Sequence, residues 1–291
     1  MVRPGAQLRR GPDPALNEKG LFSMSKPQPS KPSDGLAWVT GASSGLGKAL
    51  AIELANRGWR VVVSARSTDK LEALKSEVKT PDNIIPVTLD VTNPEKVTEV
   101  VDGIEKDHGP IVRAVLNAGT YDPMANELFN AGAYAKLMNI NTNGTANCLE
   151  PLIKHMAARK SGQIAVVASI AGYRGLPNSV AYSSSKAGLI ALCEALKFDL
   201  DQHNVHLQVV NPGFVRTPLT DKNEFEMPFL MEPEDAARKF ADGLDKTSFE
   251  VIFPWFFCKL VRRVTRLPYW LYFKLVAKAT SGDDDSSGDK K

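Results

Sequence analysis

Three residues near the middle of the chain have types and a spacing suited to acid–base chemistry at an oxygen atom. Tyr182 and Lys186 share one face if their segment is helical. Ser169 lies thirteen residues before Tyr182. A phenol titrates near pH 10, about three units too high for easy proton exchange at neutral pH. A neighbouring ammonium lowers that pKa, and the tyrosine can then act as acid for a carbonyl or base for an alcohol. The alternative is an ordinary Tyr-Lys pair on a helix surface.

Length and composition indicate a globular protein and narrow its function classes. The chain has 291 residues, of which 43% are hydrophobic and 24% charged, enough to bury one large core. The net charge of +3 gives no support for nucleic-acid binding. The three cysteines are far apart and odd in number, which predicts thiols in a reducing cytoplasm. Neither they nor the four histidines have the spacing of a metal site, so no metal is predicted.

The elements that must position these residues follow a regular alternation from Gly35 onward. Short β-branched runs predict strands at 36–40, 60–65, 84–89, 111–117, 163–168, 206–210 and 250–253. Helices are predicted between them at 45–57, 68–78, 94–107, 133–159, 180–202 and 233–244. Such alternation is typical of a parallel sheet covered on both faces. The predicted fold is α/β, a single doubly wound, Rossmann-type parallel sheet over residues 35–253.

A glycine-rich loop connects the first predicted strand to the first predicted helix. The sequence TGASSGLG spans residues 40–47, where Gly41 permits a tight turn and Gly45 and Gly47 let the backbone approach a pyrophosphate. The free amides at the helix N-terminus favour that negative charge. Glycines also mark ordinary turns, but the order strand, loop, helix favours a dinucleotide site.

The end of the second strand indicates which dinucleotide would bind. A cofactor with a free ribose hydroxyl usually meets an acid at this point, but the chain has Arg66. A guanidinium matches the geometry of a 2′-phosphate, so NADP(H) is predicted in preference to NAD(H), which remains the alternative. The competing interpretation of Arg66 is a solvated arginine at the start of a loop.

Polar residues also follow the third and fourth strands, where ligands of this fold class bind. Asp90 either holds an adenine amino group or caps the helix that starts at residue 94. Residues 117–119 read Asn-Ala-Gly, a turn that lets backbone pass close to a bound cofactor. Asn141 lies in the segment NINTNG among apolar neighbours, where a buried amide needs partners, and a functional water site is predicted there.

Together, these motifs resemble the short-chain dehydrogenase/reductase family. The resemblance covers about residues 36–253 and rests on TGASSGLG, the Asn-Ala-Gly turn, NINTNG, the Ser169 and Tyr182–Lys186 motif, and NPGFVRT at 211–217. It implies that Tyr182 is the acid/base and that Ser169 holds the substrate oxygen, so that both contact substrate. It also implies that Lys186 binds the nicotinamide ribose and that Asn141 positions a water in a proton relay.

The same resemblance implies the activity and the cofactor contacts. The expected activity is NADP(H)-dependent interconversion of a carbonyl compound and its alcohol by hydride transfer. A non-catalytic NADP-binding sensor and a membrane-surface scaffold are the alternatives. The implied cofactor contacts are Gly41, Ser43, Gly45, Leu46, Gly47, Arg66, Asp90, Val91, Asn117, Ala118, Gly119, Tyr182, Lys186, Pro212, Gly213, Val215 and Thr217.

The segment after NPGFVRT generally covers the substrate in this family. Here it is apolar, which predicts a lipophilic ketone or aldehyde, with core packing as the alternative role for its apolar side chains. These side chains are Phe225, Met227, Phe229, Leu230 and Met231.

Both ends of the chain differ in composition from the predicted domain. Residues 1–34 hold six prolines and no apolar period, which predicts a disordered leader rather than a secretory signal, with Met24 as an alternative translation start. Residues 281–291 are predicted to be a disordered tail.

Residues 254–280 are an aromatic and basic amphipathic helical extension. On one helix, Lys259, Arg262, Arg263 and Arg266 would lie opposite an apolar face of Phe256, Phe257, Leu260, Val261, Val264 and Leu267. Charges interrupt every apolar run, so no membrane span is predicted. Two alternatives stay open: residues 254–278 lie on an anionic bilayer surface, or they pack on the same domain or on a second subunit of a homodimer or homotetramer. The predicted location is the cytoplasm, with peripheral association at the inner face of the membrane under the first alternative.

Overall fold

The computed structural model describes residues 27–123, 128–222 and 227–280. Within them, seven parallel strands form one sheet in the order β3-β2-β1-β4-β5-β6-β7. The strands are β1 Leu36–Thr40, β2 Arg60–Ala65, β3 Ile84–Thr88, β4 Ile111–Leu116, β5 Gly162–Val167, β6 Val205–Pro212 and β7 Glu250–Phe253. The predicted doubly wound parallel sheet is confirmed.

Helices cover both faces of this sheet. They are α1 Gly45–Asn56, α2 Thr68–Ala73, α3 Pro94–Asp107, α4 Ala131–Met138, α5 Gly144–Arg159, α6 Val180–Gln202, α7 Pro233–Leu244, α8 Trp255–Val264 and α9 Tyr269–Thr280. Two predicted helices differ from the structure. The helix predicted over 133–159 is divided by a π-helical turn, Asn139–Asn143, and the one predicted over 68–78 becomes a 3-10 helix at Leu74–Glu77.

Alternation along the central strands divides the core into two layers. In β1, Ala37 and Val39 face the layer formed with α1 and α7, whereas Leu36 and Trp38 face the layer formed with α3, α5 and α6. Every residue of β1 is buried. Burial on both faces explains why such strands read as continuous apolar runs.

The folded part of the chain begins before Gly35, where the sequence analysis places the end of the leader. Ser30 is 9% exposed; its N–H donates to Gln163 Oε1 at 3.1 Å and its hydroxyl donates to the Val112 carbonyl at 2.8 Å. A short 3-10 helix then spans Pro32–Asp34. The last residues assigned to the leader are therefore held by buried polar groups of the sheet. Residues 1–26 and the tail at 281–291 lie outside the described residues.

The C-terminal extension forms two short helices, so the faces predicted from one continuous helix are wrong in detail. Helix α8 ends at Val264 and α9 begins at Tyr269, after Pro268, which cannot donate a backbone hydrogen bond to continue a helix. Arg266 therefore lies outside α8. Within the described residues, neither helix nor any other is long and apolar enough to cross a bilayer.

Candidate active site

A cavity of about 870 Å³ lies at the carboxyl ends of the strands, where the chain leaves β1, β2, β3, β4, β5 and β6. All the predicted cofactor contacts lie on its wall, as do Ser169, Tyr182 and Lys186. These contacts are Gly41, Ser43, Gly45, Leu46, Gly47, Arg66, Asp90, Val91, Asn117, Ala118, Gly119, Pro212, Gly213, Val215 and Thr217. The fold thus gathers motifs that are far apart in sequence into one site, which leaves out only Asn141.

The glycine loop fits a dinucleotide phosphate because its backbone is packed too closely for side chains. Gly41 has a φ of +68°, and a Cβ there would lie 2.8 Å from the Ala118 Cα. A Cβ on Gly47 would lie 2.3 Å from the Asn117 Nδ2 and 2.4 Å from the Gly41 carbonyl oxygen. Helix α1 begins after Ser44 without a side-chain cap, which leaves its first amides directed at the cavity.

A threonine fixes the Asn-Ala-Gly turn against this loop. The Thr40 hydroxyl oxygen accepts hydrogen bonds from the N–H groups of Asn117 and Ala118 at 3.0 and 3.1 Å. The Asn117 side chain in turn donates to the carbonyls of Thr40 and Gly41 at 3.2 and 3.3 Å. The turn and the glycine loop therefore form one rigid wall for a cofactor.

The opposite end of the cavity has a basic character that suits a phosphate. Arg66, Ser67 and Lys70 line it together with Asp90. Sequence reasoning missed Lys70, although its spacing of four from Arg66 was a usable signal. Two hydrogen bonds from Thr92 and the charge of Arg66 lower the pKa of Asp90.

The alternative role of Asp90 as a helix cap is wrong. The side chain that caps α3 is Asn93, whose Oδ1 accepts from the Lys96 N–H at 2.9 Å. Asp90 instead closes the preceding turn through Thr92 and keeps its place on the cavity wall.

Ser169, Tyr182 and Lys186 lie on two elements that meet at the wall of the cavity. Ser169 follows β5, and its Oγ accepts from the Ala171 N–H at 3.1 Å, which fixes the side chain at the start of a 3-10 turn. Tyr182 and Lys186 occupy the first turns of α6, and the Tyr182 hydroxyl lies close enough to the Ser169 side chain to interact with it. The three side chains are therefore brought together, as the spacing predicted.

The expected depression of the Tyr182 pKa by Lys186 is not found in the protein alone. Burial raises the pKa of Tyr182 to about 12, and the interaction with the Ser169 side chain offsets this only in part. Burial also lowers the pKa of Lys186 to about 8. The Lys186 Nζ donates to the Val167 carbonyl at 2.8 Å and lies 5.6 Å from the centre of the Tyr182 ring. Desolvation therefore outweighs the attraction between the two charged forms.

Tyr121 is a further residue of this site that sequence reasoning missed. It is 8% exposed, lines the cavity, and meets the Tyr182 ring edge-to-face with centroids 5.1 Å apart. Its position just after the Asn-Ala-Gly turn was the available signal. The contact restricts the orientation of the Tyr182 ring.

Asn141 lies behind the cavity and not on its wall. Its side chain is fully buried in the π-helical turn, accepts from the Thr120 N–H at 2.7 Å, and donates to the Thr120 carbonyl and the Ser185 hydroxyl at 3.0 and 3.1 Å. The backbone carbonyl of Asn141 accepts from Thr145. The expectation that this amide needs partners is confirmed, and its role with a water stays a prediction.

The apolar segment predicted to cover the substrate does not line the cavity within the described residues. Met231 packs in the core, where it bridges to Val215, and Phe229 lies against the rings of Phe256 and Phe257 at 6.3 and 5.4 Å. Phe225 falls outside the described residues. Pro218 and Leu219, which precede this segment, line the cavity.

Comparison with known proteins agrees with this architecture. The family model described as short chain dehydrogenase matches residues 36–227. An uncharacterized oxidoreductase of Myxococcus xanthus (strain DK1622) is 37% identical over 237 residues, which cover 81% of this chain and 94% of the relative. The 3-oxoacyl-[acyl-carrier-protein] reductase FabG of Thermotoga maritima is 31% identical over 185 residues, 63% of this chain and 75% of that protein.

A solved structure described as ElxO with NADP bound is similar in fold and sequence. It has a TM-score of 0.68 and 25% identity, and the match covers 76% of this chain and 98% of that one. Because the family match spans more than half of the sequence and the cavity carries the motifs that define it, the chain belongs to the short-chain dehydrogenase/reductase family and is an NAD(P)-dependent oxidoreductase.

Proposed function

We propose that this protein is an NADP(H)-dependent oxidoreductase that interconverts a lipophilic ketone or aldehyde and its alcohol, with Tyr182 as the acid/base. The observation that carries the proposal is the convergence of Ser169, Tyr182 and Lys186 on the wall of the cavity that the glycine loop closes. When bound, the cofactor supplies or accepts a hydride. The proton must then come from, or go to, a group of the protein.

Tyr182 is suited to donate that proton in the reductive direction. Its pKa of about 12 keeps the phenol protonated at neutral pH, so it is an acid ready for a carbonyl oxygen. Ser169 would hold the same oxygen by its hydroxyl group. Lys186 has a pKa near 8 and is mostly protonated at neutral pH, so its charge stabilises the phenolate as it forms.

The preference for NADP(H) over NAD(H) rests on the basic end of the cavity. Arg66 and Lys70 both line it, and their charges together match a 2′-phosphate better than a free hydroxyl. The NADP complex of ElxO supports this assignment. NAD(H) remains the alternative cofactor.

The lipophilic character of the substrate rests on the apolar groups that line the cavity. Leu137, Ile140, Pro218 and Leu219 are among them, and Tyr121 adds a ring beside Tyr182. The relative named 3-oxoacyl-[acyl-carrier-protein] reductase supports reduction of a ketone. We place the reaction in the cytoplasm, in keeping with three buried free thiols, Cys148, Cys193 and Cys258.

Turnover by a Tyr182→Phe variant tests the proposal. NADPH oxidation is followed against a panel of ketones and aldehydes, and we expect kcat to fall by about 10²–10⁴-fold because the proton donor is lost. NADPH binding, measured by fluorescence titration, serves as the control and should change little. Undiminished turnover in the variant would contradict the role of Tyr182 as the acid/base. NADPH binding without turnover of any carbonyl by the parent would favour a cofactor-binding sensor.

A further inference from the structure

The exposed aromatic side chains of this protein are concentrated on its two C-terminal helices. Eight aromatic side chains in the described part of the chain are more than half exposed, and α8 and α9 carry five of them: Trp255, Phe256, Tyr269, Trp270 and Phe273. Phe229 extends the group, since its ring lies 6.3 Å from that of Phe256. A concentration of exposed apolar side chains in one segment is typical of a binding site. We call the exposed side chains of α8 and α9 the C-terminal face.

The C-terminal face is also positively charged. Its exposed neighbours include Lys259, Arg263, Arg266, Lys274 and Lys278, and the sequence has no acidic residue between 251 and 280. In the described residues, Arg262 is the basic group of this segment that forms an ion pair, and its partner is Glu250 on β7. The other basic side chains of the face form no ion pair within the described residues.

The two helices are fixed to the domain by their opposite sides. Phe257 and Cys258 of α8 are buried against Ile170. Tyr272 of α9 is 1% exposed, and its hydroxyl donates to the Gly175 carbonyl at 2.7 Å. The Arg174 guanidinium donates to the carbonyls of residues 265 and 267 in the connecting segment. Packing on the domain thus uses one side of each helix and holds the other side outward.

We propose that the C-terminal face docks on an anionic lipid bilayer, with α8 and α9 lying in the interface between headgroups and acyl chains. Helices of 10 and 12 residues are too short to span a bilayer but long enough to lie in its surface. Tryptophan and tyrosine favour this interface, and lysine and arginine reach its anionic headgroups.

The positive charge of the face favours an anionic bilayer over a second copy of the chain as its partner. A two-fold contact between identical C-terminal faces would bring two clusters of basic residues together with no acid between 251 and 280 to pair them. An anionic membrane surface instead offers complementary charge over the whole area. The structure therefore favours lipid over self-association at this face.

The buried side of α8 lies next to the cavity. A Cβ on Gly213, which lines the cavity, would lie 3.2 Å from the Phe257 ring and 3.2 Å from the Pro254 ring. Ile170, against which α8 packs, follows Ser169 directly. A docked molecule would hold its active site close to the bilayer, where a lipophilic substrate concentrates. This last step rests on the proposed function, whereas docking does not.

Co-sedimentation of the full chain with vesicles tests the proposal. We expect binding to vesicles of phosphatidylcholine with about one-quarter phosphatidylglycerol, weakened at about 0.5 M NaCl, and little binding to phosphatidylcholine alone. Tryptophan fluorescence reports insertion, because Trp38 and Trp59 are 0% and 2% exposed and bilayer-borne quenchers reach only Trp255 and Trp270. Brominated lipid in the anionic vesicles should therefore quench part of the emission.

Matched variants assign the binding to this face. Lys274→Gln with Lys278→Gln should lower the partition coefficient by about thirtyfold, and Trp270→Ala with Phe273→Ala should remove most of the quenching. The controls carry the same changes elsewhere on the surface: Lys106→Gln with Lys239→Gln, and Phe198→Ala, which removes a side chain that is 75% exposed. These controls should bind like the parent.

Three results would overturn the proposal. The first is that the parent does not bind anionic vesicles, and the second is that vesicle binding falls equally in the variants and their controls. The third is a change of oligomeric state in Trp270→Ala with Phe273→Ala in the absence of lipid, which would make the face a protein interface. Turnover of a water-soluble ketone should be the same in all variants. Loss of docking with normal turnover, or the reverse, therefore separates failure of this proposal from failure of the proposed reaction.

Discussion

At the residue scale, burial sets the protonation of Tyr182 and Lys186. Desolvation raises the pKa of Tyr182 to about 12 and lowers that of Lys186 to about 8. Both changes favour the neutral forms, so the pair is not a preformed phenolate and ammonium. The tyrosine is therefore an acid at rest, which suits reduction of a carbonyl.

The depressed pKa of Lys186 predicts a pH-dependent stability. Between pH 8 and its ordinary pKa of 10.5, the unfolded chain binds more protons at this residue than the folded chain does. The free energy of unfolding contributed by Lys186 therefore rises with pH in this window, by at most about 1.4 kcal/mol per pH unit. Urea unfolding at several pH values should show this rise in the parent relative to Lys186→Met. Parallel pH profiles would contradict the assignment.

The basic end of the cavity predicts discrimination between the two dinucleotides. Arg66→Asp removes a charge-assisted contact to a 2′-phosphate and adds repulsion, so we expect the Kd for NADPH to rise by about tenfold to a hundredfold. The Kd for NADH, which lacks that phosphate, should change little. Titration with both cofactors measures this, with Lys79→Asp, an exposed residue that does not line the cavity, as the matched control. Equal losses for both cofactors would mean that Arg66 does not bind the phosphate.

At the element scale, the loop before α1 requires glycine because α1 starts in close contact with the turn after β4. A Cβ on Gly47 would lie 2.3 Å from the Asn117 Nδ2 and 2.4 Å from the Gly41 carbonyl oxygen. Rotation of the Asn117 side chain would relieve only the first contact, because the second is with backbone. The residue type is therefore imposed by packing between elements.

This packing predicts opposite effects for the same substitution at two helical glycines. Gly47→Ala should lower the free energy of unfolding by about 1–3 kcal/mol through overpacking, and should weaken NADPH binding. Gly103→Ala in α3, where a Cβ would meet nothing within 4 Å, should raise it by about 0.5–1 kcal/mol. Urea unfolding and NADPH titration of both variants check this. Equal destabilisation at the two positions would contradict the packing account.

Strand positions followed closely from the sequence. The strands β1, β2 and β7 have the predicted limits, whereas the fully buried β4, β5 and β6 differ by one or two residues at an end, because uniform burial does not mark where a strand stops. The π-helical turn at Asn139–Asn143 was not predicted, because one extra residue in a helix changes no local pattern. Asn141 lies in this turn and is hydrogen-bonded to Thr120 and Ser185, which are distant in sequence.

At the scale of the whole molecule, a buried polar network joins the N-terminal segment to the sheet. Arg113 on β4 is 1% exposed and donates to Gln163 on β5, to Asp245 and to the Ser30 carbonyl, and its guanidinium lies over Trp59 at 4.5 Å. Burial lowers the pKa of this arginine, so its acceptors are needed to keep the charge stable.

The network predicts that residues 27–30 contribute to stability although they precede the sheet. A chain that begins at Lys31 loses the three hydrogen bonds of Ser30 and leaves Arg113 short of an acceptor, whereas a chain that begins at Pro27 keeps them. We expect the shorter chain to be less stable by about 1–3 kcal/mol in urea unfolding. Equal stability of the two truncated chains would show that the segment does not support the network.

The sequence by itself determined the alternation of elements, the parallel sheet and the residues of the cofactor and acid–base motifs. These follow from local patterns, because the period of apolar residues, the spacing of glycines and the Tyr-Lys interval each involve residues that are close in sequence. Ser169, Tyr182, Lys186 and the glycine loop could be assigned to one edge because parallel strands carry their carboxyl ends together.

Only the tertiary structure decided the protonation of Tyr182, the place of Asn141 behind the cavity and the divided surface of α8 and α9. Each depends on how much water and which distant side chains surround a residue, and burial and long-range partners leave no local trace in the sequence. The C-terminal helices show this most clearly. Their amphipathic sequence allowed either packing or membrane contact, and the fold buries Phe257 and Tyr272 while it leaves Trp255 and Trp270 exposed.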